Sequence, residues 1–113
     1  MLSVNGHPLI DSIKNCSAIV CYNDQVASTL YSYFRENGLH VPKDISMVGF
    51  DDSFSSSLTR LELTTVRHPK KDLGIKAAGM LMKMVKNSKD AVPADAQIMN
   101  ADVILRGSVL GLL

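Results

Sequence analysis

Asn23 and Asp24 close the apolar run AIVCY, Asp51 and Asp52 close ISMVGF, and His68 stands before Pro69 at the end of LTTVR. A carboxylate accepts two hydroxyl protons, an amide both donates and accepts, and a neutral imidazole does one of each. Asn23, Asp51 and His68 are thus of types that pair with the hydroxyls of a small molecule. Such a set discriminates, because an analogue lacking one hydroxyl leaves a buried polar group unpaired at about 1–3 kcal/mol. Each residue also has a plainer role. Asn23 can cap a helix, Asp51 can close a turn on its own backbone, and His68 can be a half-exposed residue at a helix start. Asp24 and Asp52 are assigned to capping and turn formation, and His7 and His40 read as surface residues without partners in sequence.

The pair Asp51-Asp52 also suits a metal or phosphoryl-transfer site, as in a phospho-acceptor α/β domain. That chemistry calls for a further acidic pair after the first strand and a lysine after a later one, and LTTVRHP offers Arg67 instead. With no glycine-rich phosphate loop and no nucleophile elbow in the sequence, an enzyme is not expected and no cofactor is assigned.

The elements that must hold these side chains follow from the flanking patterns. Short apolar runs at 18–24 and 45–52, each ending in a polar corner, read as strands buried on both faces. A helix-length segment between them makes a βαβ unit, so the strands are parallel and their corners lie side by side. Open α/β sheets bind ligands beyond the carboxyl ends of their strands, which is where Asn23 and Asp51 fall. The connecting helix is expected over 25–37, with Val26, Leu30, Tyr33 and Phe34 as its apolar stripe. Gly38 ends it and Pro42 prevents resumption. Gly49 implies a close approach of the backbone to whatever occupies the cleft. LELTTV at 61–66 has strand composition, and Pro69 suits a first helical position. A second helix is expected over 69–86, with Leu73, Ala77, Met80, Leu81 and Met84 on one face. A last strand region at 96–109 is expected to break near 100–102. Methionines on apolar faces, Met80 and Met84 among them, read as core packing.

Composition bounds the function classes. The 113 residues are 46% hydrophobic with 5% aromatics and no tryptophan, an aliphatic α/β core of modest size. A chain of this length buries roughly two thirds of its unfolded surface, enough for one core. A net charge of +1 with mixed signs argues against an extended nucleic-acid footprint. No run of about 18 apolar residues predicts a membrane span, and MLSVNGHPLI lacks the basic start and apolar core of a signal peptide. A cytoplasmic location is expected, with Cys16 and Cys21 as reduced thiols, since residues five apart in a strand are too far separated to bridge.

The order CYNDQVA, GLHVPKDISMVGFDD, LTTVRHPKKDLGIKAAGML and VILRGSV resembles the effector-binding domain of LacI/GalR-type transcription repressors, over roughly residues 17–109. Within that family the V-R-H-P-K stretch looks most like the arabinose-responsive repressors of Gram-positive bacteria. The resemblance implies an α/β, periplasmic-binding-protein-like (type I) fold of parallel-sheet, three-layer subdomains, here in part. By it, residues about 9–66 and 96–113 belong to the C-terminal subdomain, and the helix at 68–90 packs with an N-terminal subdomain absent from this chain. It implies Asn23, Asp51 and His68 as ligand contacts, a small sugar effector with L-arabinose favoured, and a homodimer through residues 25–37 and 53–60. DNA contact is expected only through a segment absent from this chain, with no membrane partner. The alternative is an extracellular or periplasmic sugar-binding protein for transport, which shares the fold.

Overall fold

The computed structural model describes residues 3–4, 7–13, 15–53, 61–86 and 96–111. The chain divides into two compact units, residues 1–67 with 103–113, and residues 68–102.

In the first unit a short antiparallel pair, β1 (Ser3–Val4) and β2 (His7–Pro8), leads into the single-turn helix α1 (Leu9–Ile13). A four-stranded sheet follows in the order β3 (Ala18–Val20), β4 (Ser46–Phe50), β5 (Thr64–Arg67), β6 (Asp102–Ile104). β3 and β4 are parallel, with Ile19 opposite Met47, and β4 and β5 are parallel, with Gly49 opposite Thr65. The expected βαβ unit is present, and it places the ends of β3 and β4 together.

Helix α2 (Asp24–Glu36) joins β3 to β4. It starts where the Asn23 side chain accepts from Val26 N at 2.8 Å, which pairs one of the free N–H groups of the first turn. It ends before Gly38, whose φ of +76° is a left-handed conformation that glycine adopts without steric cost. Ala27, Leu30 and Phe34 are its buried apolar residues, at i, i+3 and i+7. Val26, expected on this stripe, is 46% exposed; one residue before Ala27, it points about 100° away around the helix. The apolar face packs on β4, and the core comprises Cys21, Ala27, Leu30, Phe34, Ile45, Met47, Leu61 and Leu63.

The 61–66 segment enters the sheet only at Thr64; Leu61 and Leu63 are core residues in irregular backbone. The region at 96–109 forms a strand only at β6. Its later part is fixed by Ser108, fully buried, whose hydroxyl donates to the Met47 carbonyl at 2.6 Å and accepts from Thr64 N at 2.8 Å. The serine of the R-G-S ending thus ties β4 to β5. His40, expected to lack a partner, lies 3.2 Å from the Asp44 carboxylate, which also accepts from His40 N at 2.8 Å. These hydrogen bonds lower the Asp44 pKa.

In the second unit, α3 (Lys70–Lys86) begins one residue later than the sequence predicts, with the Pro69 carbonyl accepting from Leu73 N at 2.9 Å. None of its residues is buried, and Ile75, Leu81, Met82, Met84 and Val85 are exposed. Core packing therefore fails for Met84 in this chain and holds for Met47. Residues 54–60 of the expected dimer segment and 87–90 of the expected helix at 68–90 lie outside the described residues.

Candidate functional site

Among the described residues, the corner after β4 carries the two residues other than glycine with positive φ. Asp51 and Asp52 have φ of +102° and +43°, in the left-handed region that residues with a Cβ seldom occupy. Such conformations cost of order 1–3 kcal/mol each and persist where surrounding contacts over-determine them. Those contacts are present. Asp51 N donates to the Val66 carbonyl at 2.9 Å, and Asp52 N to the Thr65 hydroxyl at 3.3 Å. The Asp52 carboxylate accepts from Arg106 Nη2 at 2.7 Å and from Arg67 Nε at 2.6 Å. The hydrogen bond from Arg106, reinforced by that from Arg67, holds the Asp52 carboxyl below the usual carboxylate range.

Beneath this corner lies Asp24, 1% exposed. Its carboxylate accepts from the Thr65 hydroxyl at 2.6 Å and from Ser53 N at 2.7 Å, with the Ser53 hydroxyl at 3.3 Å. One side chain at the start of α2 thereby links the ends of three adjacent strands. Gly49 makes room for it, because a Cβ there would collide with Asp24 and come 2.8 Å from Leu63 Cδ2. The close approach expected at Gly49 is thus to Asp24 and Leu63. Cys21, just before the β3 corner, is buried, and burial followed by the charge of Asp24 raises its pKa.

An open concavity at these strand ends is lined by Tyr22, Phe50 and Asp51. Tyr22 is 87% exposed and Phe50 41% exposed. Aromatic rings this accessible next to a carboxylate can cover the apolar face of a small polyhydroxylated molecule while the acid takes its hydroxyls. No sequence pattern marks either ring as a site residue, although each directly precedes a corner, Tyr22 before Asn23 and Phe50 before Asp51. The parallel register of β3 and β4 is what makes them neighbours. Arg106 was legible only as a letter of the R-G-S ending.

Of the residues singled out in sequence, Asn23 and Asp51 occupy the ends of adjacent parallel strands. Asp51 lines the concavity, while the Asn23 side-chain oxygen serves as the cap of α2. His68 is half-buried at the start of the second unit, where its carbonyl accepts from Lys70 N at 2.8 Å. Asp24 and Asp52 do more than cap and turn: they are the acceptors that hold the corner.

Residues 3–109 match the Periplasmic binding protein-like domain. The chain is 50% identical over 70 residues to the arabinose metabolism transcriptional repressor of Geobacillus stearothermophilus, covering 62% of this chain and 19% of that protein. It is 40% identical over 81 residues to the repressor of the same name from Halalkalibacterium halodurans, covering 72% and 22%. Among solved structures, a periplasmic binding protein/LacI transcriptional regulator from Alkaliphilus metalliredigens complexed with D-xylulofuranose superimposes with a TM-score of 0.78 at 25% identity, over 97% of this chain and 40% of that one. The chain thus spans about a fifth of the length of the two repressors. It has the periplasmic-binding-protein-like fold that its motifs predict. On that match over 3–109, the chain belongs to the periplasmic-binding-protein-like domain family, and the relatives it is similar to are named as transcriptional repressors.

Proposed function

We propose that this chain is the ligand-sensing part of a transcriptional repressor of sugar-utilisation genes, that its effector is a small sugar, and that L-arabinose is the favoured one. The observation that carries the reading is the strained Asp51 corner opening onto a concavity shared with Tyr22 and Phe50, at the carboxyl ends of adjacent parallel strands. Asp51 accepts sugar hydroxyls, Asn23 offers its amide, and His68 contributes an imidazole. The names of the two relatives favour arabinose, and the pentulose in the structural neighbour favours a ligand of that size.

In this reading the protein works in the cytoplasm as a homodimer through residues 25–37 and 53–60. DNA contact belongs to a segment outside these 113 residues. Helix α3 packs on the N-terminal subdomain of the effector cleft, which accounts for its exposed Ile75, Leu81, Met84 and Val85. Effector binding then acts by favouring one arrangement of the subdomains over another, which requires different affinities for the two. Calorimetric titration of the intact protein with a panel of monosaccharides tests this. Binding of L-arabinose at millimolar concentration or below is expected, and absence of binding by every monosaccharide at that level overturns it.

A further inference from the structure

We propose that Arg106 is a positioning residue for the effector site: by clamping Asp52 it holds the left-handed Asp51–Asp52 corner and so sets where the Asp51 carboxylate is presented. The assignment of Asp51 to the effector rests on the function proposed above; the clamp itself does not.

Two consecutive residues with a Cβ and positive φ do not stay there unaided. Backbone bonds fix one side of the corner, through Asp51 N to Val66, and Asp24 fixes its exit, through Ser53 N. Between them, Asp52 is held by a long bond from its N–H to the Thr65 hydroxyl, at 3.3 Å, and by its side chain. Arg67 and Arg106 both donate to it, but the Arg67 side chain is 55% exposed and that of Arg106 is 23% exposed. An exposed pair is weakened by water and by the entropy of a long side chain, so Arg106 is the stronger holder. Arg106 is also anchored at its other end. Its Nη1 donates to the Leu63 carbonyl at 2.8 Å and its backbone N to the Thr64 hydroxyl at 2.9 Å. The planar guanidinium spans Leu63 and Asp52 at once, a geometry that the single ammonium of lysine does not reproduce. The lowered pKa of Asp52 agrees with this hold.

A merely structural arginine would staple residue 106 to β5 and leave the corner unaffected. The two roles separate in intact protein labelled with 15N-aspartate. Positive φ gives a strong intraresidue amide-to-Hα contact by NMR, and this signal is expected at Asp51 and Asp52 in the wild type. In Arg106→Gln it is expected to weaken at both while Asp24 and Asp44 are unchanged, and Arg106→Lys is expected not to restore it. Persistence of both signals in folded Arg106→Gln overturns the proposal. Should that variant fail to fold, Asp52→Asn carries the test at Asp51, since it removes the charged partner of the clamp and leaves the bonds of Arg106 to Leu63 and Thr64 in place.

Affinity for L-arabinose supplies the second arm. Arg106→Gln is expected to bind about tenfold more weakly, the size of one lost hydroxyl partner, and to cause no further loss in an Asp51→Asn background. Equal losses in both backgrounds overturn a route through Asp51. If the wild type binds no sugar, the effector reading falls and the NMR arm still decides the clamp.

Discussion

Replacing Asp24 with alanine removes the acceptor that joins three strand ends, and its cost can be worked from the contacts. The carboxylate accepts from Ser53 N at 2.7 Å and from the Thr65 hydroxyl at 2.6 Å, in a position 1% exposed. Hydrogen bonds to a charged acceptor contribute about 1.5–3 kcal/mol each, and a buried donor left without an acceptor costs about 1–3 kcal/mol. The Thr65 hydroxyl can rotate to another acceptor, whereas Ser53 N cannot, so the two do not count equally. Asp24 is also the first residue of α2, where a negative charge is favoured by about 0.3–1 kcal/mol. Together these give a loss of about 3–5 kcal/mol for Asp24→Ala. Asparagine keeps one oxygen but presents an amide to a donor, so Asp24→Asn should lose about 1–3 kcal/mol. Urea unfolding of the intact protein followed by circular dichroism measures both, with an unchanged slope showing that stability alone has moved. A loss below about 1 kcal/mol for the alanine variant would show that Asp24 is not what ties the strand ends together.

Two further outcomes follow from the titratable groups. Because the folded state lowers the pKa of Asp52, its ion pairs stabilise the protein fully above the ordinary carboxylate value of 3.8 and lose that contribution as pH falls through the lowered value. The urea midpoint of Asp52→Asn should therefore fall less steeply with acidification than that of the wild type, and parallel curves would refute this. Cys16 is exposed and Cys21 is buried with a raised pKa, so an aromatic disulfide reagent should modify Cys16 promptly and Cys21 only on unfolding. Prompt reaction in Cys16→Ser would contradict the burial.

The strand-helix-strand order, the Asn23 cap, the Gly38 stop and the family motifs were all legible in the sequence. Each depends on contacts within a turn or two of chain, or on an apolar period that the chain displays directly. The parallel pairing of β3 and β4 followed from the helix between them, and with it the placement of Asn23 and Asp51 at one end of the sheet. Tertiary structure decided the rest. Asp24 meets Ser53 across 29 positions and Thr65 across 41, and Arg106 reaches Asp52 across 54. Those partners are fixed by which strands lie next to each other and in what register, and no local pattern encodes that. The same holds for the positive φ of Asp51 and Asp52, which their residue type disfavours and only the surrounding acceptors and donors sustain. A segment's own sequence sets what it prefers locally, while the side chains it finally meets are chosen by the packing of the whole sheet.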